Sequence, residues 1–334
     1  MTMKRITLSH GSGGKLMHDL IKGLFVKNLG NPFLNKLGDS ALIHTSVERF
    51  AYTTDSYVIN PIFFPGGDIG KLSICGTVND LSVSGARPKY ISCGMIVEEG
   101  FSYNELEEIT LSMKAACKKA GVSIVTGDFK VVEKGAADKI FINTSGIGEV
   151  FKEARLSVDY IRPGDKVIVS GTIGDHGAAV LLAREELKFS SRLLSDCAPI
   201  NGLVSSVICK DIKFIRDPTR GGLATTLNEI SMESSYNIGI DESQIPIKEP
   251  VKALCEILGL EPLYMANEGK IVLIVSAKSA SKVLGRMKKH ILGRDSKIIG
   301  EVETRRDRKV YLKTKAGGTR ILDMLTGEQL PRIC

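Results

Sequence analysis

Hydrophobic positions in the first half of the chain switch between helical and strand spacing in a definite order. Leu16, Leu20, Leu24 and Phe25 share one helical face, with Gly30 as the expected stop. Strand-like runs follow at residues 40–46 and 50–57; Gly38-Asp39 precedes the first, and Thr53-Thr54-Asp55 lies within the second. Between residues 68 and 84, Ile69, Leu72, Cys75, Val78 and Leu81 return to helical spacing, capped by Gly85. Asn79-Asp80 lies near that helix's end, where an acid runs against the helix dipole. Residues 90–98 read as a strand. Ser102-Tyr103-Asn104-Glu105 is a capping box, opening a helix through Leu106, Ile109, Met113 and Cys117 that Gly121 closes. The strand at 122–126 leads into Gly127-Asp128-Phe129-Lys130. Extended backbone there places Asp128 and Lys130 on one face and Phe129 on the other. A strand at 139–150 ends this half.

A boundary falls near 152–164, where Arg162-Pro163-Gly164-Asp165 makes a turn before a buried strand at 166–170. Strands and helices then alternate. Helices are expected at 174–185, 200–209, 251–258 and 279–290, with one more opened by Asp217-Pro218-Thr219-Arg220-Gly221-Gly222-Leu223. Strands are expected at 213–216, 271–276, 297–303 and 309–314. The pattern predicts an α+β first domain over 1–152, an α/β second domain over 153–314, and a mobile tail over 315–334 ending in Cys334.

Composition adds limits. With 334 residues, 43% hydrophobic and 25% charged, the chain can bury two cores. No apolar run approaches the ~18 residues of a membrane span, and MTMKRITLSH lacks a signal-peptide core, so a cytoplasmic location is expected. The net charge of +7 is dispersed. Its densest cluster, Arg305-Arg306-Asp307-Arg308-Lys309, reads as a solvated turn, and no nucleic-acid partner is expected. None of the seven cysteines forms a C-x-x-C or pairs with a histidine at zinc spacing. Cys334, at the end of the tail, lies outside every periodic segment. Pro331 keeps the end out of a central strand, so its thiol is either incidental or a handle that another site must reach.

Candidate chemistry clusters at element edges. Asp39, Asp55, Asp80 and Asp128 each sit beside Gly, Thr or Asn. Singly each reads as a cap or turn residue. Together they suit a nucleotide site, because Mg²⁺ takes hard oxygen ligands and shares carboxylates with phosphates. His10-Gly11-Ser12-Gly13-Gly14-Lys15, before a helix, can turn backbone N–H groups toward phosphate, although Leu16 breaks the Walker A pattern. Gly221 and Gly222 can likewise bring backbone close to a ligand. Lys130 is available to meet phosphate charge. Glu268, between Asn267 and Gly269, and His176, in Gly174-Asp175-His176-Gly177, are the candidate bases.

The ordered run of Gly-Asp-Ser, Thr-Asp-Ser, Thr-Val-Asn-Asp-Leu, Thr-Gly-Asp-Phe-Lys, Asp-Pro-Thr-Arg-Gly-Gly-Leu, Asn-Glu-Gly and terminal Pro-Arg-Ile-Cys resembles the HypE family of hydrogenase maturation proteins. That family is grouped with aminoimidazole ribonucleotide synthetase, selenophosphate synthetase and thiamine monophosphate kinase. The resemblance spans essentially the whole chain. It implies a homodimer whose first domains close a shared β-barrel, with ATP and Mg²⁺ in clefts near the interface. It further implies that Cys334 receives a carbamoyl group from the carbamoyltransferase HypF. The group would be dehydrated to a thiocyanate and its cyanide passed to HypC–HypD for the nickel–iron hydrogenase centre. In that scheme Asp39, Asp55, Asp80 and Asp128 hold Mg²⁺ and Lys130 stabilises charge on the activated oxygen. Glu268 or His176 takes protons. A thiol metallochaperone and a superfamily enzyme acting on a free small molecule are the rival readings.

Overall fold

The computed structural model describes residues 5–10, 15–36, 43, 49–184, 192–324 and 332–333. Gly13, Gly14, Asp39, Cys334, the Lys15 side chain and nearly all of the strand expected at 40–46 lie outside them. The first helical stretch runs as α1 (Lys15–Leu20), a π-helical segment (Ile21–Val26) and α2 (Lys27–Leu29), ending at Gly30. Next come β1 (Phe50–Tyr57), a small hairpin of β2 (Phe63–Phe64) and β3 (Gly67–Asp68), and α3 (Ile69–Val83). The Asp68 carboxylate caps α3 by accepting from the N–H groups of Gly70 at 2.7 Å and Lys71 at 3.1 Å. β4 (Ala86–Glu98), α4 (Tyr103–Ala120), β5 (Ser123–Val132) and β6 (Ile140–Val150) complete the domain. Gly121 ends α4 at φ 70°, the left-handed conformation that glycine adopts without a Cβ clash.

The four strands order as β1-β6-β4-β5, and α3 and α4 cover one face. α3 is buried almost all round, as a helix enclosed on every side must be. It packs on the sheet and also on elements of the second domain. The opposite sheet face is open. Phe50, Tyr52 and Ile96 are 45%, 70% and 45% exposed there.

The second domain contains β7 (Lys166–Val169), α5 (Asp175–Ala183), α6 (Asn201–Val207), β8 (Ile212–Arg216), α7 (Gly222–Ser234) and β9 (Ile238–Asp241). It continues through α8 (Glu249–Leu258), β10 (Val272–Val275), α9 (Ala277–Lys289), β11 (Lys297–Val302), β12 (Val310–Lys313) and β13 (Thr319–Ile321). Strand order is β13-β12-β9-β11-β7-β10-β8. Side chains alternate between two cores. Val167, Val169, Val272 and Ile274 face the core that includes Leu223 and Leu227 of α7, and Ile168, Leu273 and Val275 face the one that includes Leu203 of α6 and Val283 of α9. Each fully buried Val, Leu or Ile contributes ~1.5–3 kcal/mol.

The alternation of strands and helices is as read, but among the described strands of this second sheet only β12 and β9 pair in parallel. β10 inserts between β7 and β8, a long-range choice that local pattern does not encode. The expected tail is also shortened. β13 pairs with β12, and Leu322 is fully buried, donating its N–H to Val310 and accepting from Asn228 at 2.8 Å. Residues 315–322 therefore belong to the second domain, because the hairpin satisfies their backbone and the core takes Leu322.

Candidate functional site

Asn267-Glu268-Gly269 lies where the two domains meet. Asn267 is fully buried; its side chain accepts from the Gly174 N–H at 2.8 Å and donates to the carbonyls of Pro218 at 2.9 Å and Met265 at 3.1 Å. From α3, buried Asn79 donates to the carbonyls of Glu268 and Ala198 and accepts from the Ile200 N–H. Asp196 receives the N–H groups of Glu268 at 3.1 Å and Gly269 at 3.2 Å and pairs with Lys270 at 3.2 Å. Burial pulls the Asp196 carboxyl up, but Lys270 and the Glu268 amide hold it below its usual range. Only glycine fits at 269, since a Cβ there would overlap the Asp196 carbonyl.

Glu268, held by this frame, is 3% exposed. Burial first, then Asp217, Asp196 and Asp55, pushes its carboxyl well above the ordinary glutamate range. Asp80 stands in the same field. Burial and Asp55 push it up to about 6 against a 3.0 Å hydrogen bond from Thr53. Burial and Asp80 push Asp217 up to about 7. Asp55, Asp80, Asp217 and Glu268 thus form one acidic seam between the domains, in which Asp80, Asp217 and Glu268 hold protons more tightly than free carboxyls do.

His176 is fully buried on α5 and donates from Nε2 to the carbonyl of Ile333 at 2.9 Å. A carbonyl can only accept, so the proton resides on Nε2, and Nδ1 accepts from Ser195 Oγ at 2.8 Å. Burial lowers its pKa, keeping the ring neutral. Ile333 is itself 6% exposed and packs in one cluster with Cys197 and Ala266. The next-to-last residue of the chain is therefore seated against the seam.

The expected residues separate into two groups. Asp55, Asp80, Glu268 and His176 border the seam. Asp128 and Lys130 pair at 3.2 Å on the open face of the first sheet, with Phe129 pointing inward as predicted. Asp55 faces α3 beside Thr144, while Asp128 lies across from Gly94 and Asn143 on the other side. One chain does not bring Asp128 to Asp55 and Asp80. Gly222, expected to bring backbone close to a ligand, donates its N–H to the Thr219 carbonyl at 2.9 Å. Its φ is 60°, and a Cβ would lie 2.5 Å from the Met265 carbonyl, so packing requires glycine there. Gly221, φ 74°, precedes α7 in the same left-handed turn. Sequence reasoning missed Asp217 and Asp196. Asp217 stood in a motif read for its glycines, and Asp196 lies in a segment without periodicity.

The N-terminal domain of AIR synthase related proteins matches residues 37–150, and their C-terminal domain matches 162–313. Carbamoyl dehydratase HypE of Bradyrhizobium diazoefficiens is 48% identical, covering 98% of this chain and 96% of that protein. The chain belongs to the HypE family. A crystal structure of the hydrogenase maturation protein HypE in complex with ATP is 46% identical, with a TM-score of 0.94 over 98% of this chain and 99% of that one. A HypE chain in a HypE–HypF complex is 48% identical, with a TM-score of 0.81 over 92% of this chain and 99% of that one. The two-domain arrangement is thus that of the HypE fold.

The seam has a consequence for stability. Raised carboxyls hold protons in the folded chain that the unfolded chain has already released, so stability falls as pH rises through their folded values. Asp217, raised to about 7, costs roughly 1 kcal/mol between pH 6.5 and 8. Urea unfolding is expected to show lower stability at pH 8 than at 6.5, and Asp217→Asn is expected to flatten that difference. An unaltered difference in the variant would place Asp217 outside the coupled acids.

Proposed function

We propose that this protein is an ATP-dependent carbamoyl dehydratase acting on a carbamoyl group carried by its own Cys334, converting it to an S-cyano group for the nickel–iron hydrogenase centre. The observation that carries the reading is the seating of Ile333, one residue before that cysteine, on His176, which lies in the field of the same Asp196 that frames the Glu268 loop. Membership of the HypE family supports it independently.

The overall conversion takes S–C(=O)–NH₂ to S–C≡N, with the oxygen leaving on phosphate. An amide oxygen leaves poorly; ATP, when bound, supplies a phosphoryl group that makes it a good leaving group. In its ionised form, once its own proton has been lost, Glu268 takes the proton from the nitrogen, and its raised pKa then makes it a stronger base than an ordinary carboxylate. His176 is then a holder of the tail, since its Nε2 proton is committed to Ile333. Cys197, hydrogen-bonded to Cys75 and buried, has its thiol pushed well above the usual range. It stays protonated and does not attack the thiocyanate.

Magnesium fits the donor set: Asp55, Asp80 and Asp217 are hard oxygen donors crowded enough to gain from a cation. Among the described residues no three His, Cys, Asp or Glu side chains form a cage by themselves, consistent with an ion shared with phosphates. Asp39, Gly13, Gly14 and Lys15 are assigned to the same nucleotide by resemblance, and Gly221 through the turn it permits. Asp128 and Lys130 lie on the open sheet face with exposed Phe50, Tyr52 and Ile96. A second copy closing a shared β-barrel over that face would bury these side chains and carry Asp128 and Lys130 toward a shared site. HypF is the proposed carbamoyl donor and HypC–HypD the proposed acceptor, in the cytoplasm. No helix among the described residues is long and apolar enough to cross a membrane.

The test is to incubate the protein with the carbamoyltransferase and carbamoyl phosphate, then weigh the C-terminal peptide. The peptide should gain a carbamoyl group and lose water only when ATP is added to the dehydratase. A carbamoyl adduct that persists with ATP would defeat the proposal.

A further inference from the structure

Asp196 lies in a stretch with neither helix nor strand, yet its side chain is only 2% exposed. Its partner Lys270, at 3.2 Å, is 12% exposed. A buried ion pair is a poor source of stability, because taking both charges out of water offsets their attraction. What the pair holds accounts for it better. Both Asp196 oxygens face one turn of backbone. Oδ1 accepts from the Glu268 N–H, and Oδ2 accepts from the Gly269 N–H and faces the Lys270 ammonium. The carbonyl of Glu268 is taken from other sides, by Asn79 Nδ2 at 3.1 Å and by the Ala198 N–H at 3.3 Å. Gly269 is pressed so closely on the same segment that a Cβ there would lie 1.9 Å from the Asp196 carbonyl oxygen. Both polar backbone groups of Glu268 are therefore fixed, and a fixed backbone leaves its carboxyl few places to go.

We propose that Asp196 is a positioning residue for the dehydration: its carboxylate, locked by Lys270, holds the Asn267-Glu268-Gly269 turn so that the Glu268 carboxyl meets the carbamoyl nitrogen. The inference rests on the proposed function and deepens it by naming what aims the base. Asp196 acts through Glu268 and touches neither nucleotide nor carbamoyl group. Changes at the two residues are then not independent, because a base that has been removed cannot also be misplaced.

The test compares the full chain as parent, Asp196→Asn, Glu268→Gln and the double variant, each carbamoylated by the carbamoyltransferase and then given ATP in single turnovers. Asparagine keeps the volume of aspartate and one acceptor, but its NH₂ group faces an N–H or the Lys270 ammonium. Asp196→Asn should slow dehydration by about 10²-fold, the cost of misplacing a reacting group by ~1 Å, with ATP affinity within about twofold of the parent. In the Glu268→Gln background the same change should cost less than about twofold. A merely structural residue would multiply the two losses. Asp196→Asn combined with Lys270→Met leaves no unpaired charge, and it should give the same slow rate and the same non-additivity should the single variant fail to fold.

Hydrogen exchange of the peptide spanning Glu268 and Gly269 reads the clamp without the reaction. Its protection should fall by about tenfold or more in Asp196→Asn, while peptides of α9 keep theirs. Multiplied losses in the double variant, a parent-like rate for Asp196→Asn, or unchanged protection overturns the inference. Lost protection in a protein whose parent shows no ATP-dependent dehydration would leave the clamp and remove only the proposed function. Unchanged protection in an active protein would remove only the clamp.

Discussion

Glu268→Gln is expected to lower dehydration of the carbamoylated tail by ~10²–10⁴-fold, the span typical for loss of a general base, while ATP still binds. The same change should leave the fold intact or strengthen it. Glu268 is 3% exposed and lies in the field of Asp217, Asp196 and Asp55, so its ionised form is costly in the folded state. Glutamine has nearly the shape of protonated glutamate and carries no charge to repel. Its folded-state pKa is raised, so the destabilisation glutamate imposes grows as pH rises, and relief by glutamine should be larger at pH 8 than at pH 6. Single-turnover mass analysis together with thermal unfolding checks both halves. A large loss of melting temperature with partial activity would make Glu268 a structural carboxyl, and the proton acceptor would then have to be sought elsewhere in the seam.

Cys334→Ala is the second large effect. The C-terminal peptide should gain no carbamoyl mass and form no cyano adduct, a complete loss within detection, with ATP affinity within about twofold of the parent. The expectation follows from the separation of roles. Arg332 and Ile333 hold the tail through their own side chains and carbonyls, and the acids of the seam lie on other elements. Adduct formation on another cysteine in the variant would refute the assignment. Of the described alternatives, Cys75, Cys93, Cys117, Cys197 and Cys255 are buried and only Cys209 is part-exposed, and burial raises the thiols of Cys93 and Cys117 to about 12.

Much of this was legible in the amino-acid order because its causes are local. The capping box at Ser102 and the glycine at 121 bound α4 as read, since a hydroxyl near an N–H and a residue free to take positive φ act within one turn. Alternation along β5 placed Asp128 and Lys130 together and Phe129 opposite, since strand period is a property of the backbone. The terminal Pro-Arg-Ile-Cys singled out the end of the chain before any fold was known. Strand direction in the second sheet, the brief strands β9 and β13, and the early anchoring of the tail at Leu322 were not legible. Each depends on a partner dozens of residues away.

Amino-acid order alone set most of the elements, the family motifs and the cysteine at the chain's end, because propensity, capping and spacing act over short range along the backbone. Folding was needed to show which carboxylates share a field, that Asp128 stands apart from Asp55 within one chain, that Asp196 frames Glu268, and that His176 grips the tail. Burial and Coulomb interaction depend on distances in space, and those exist only once α3 and the loop at Glu268 have brought the two domains together.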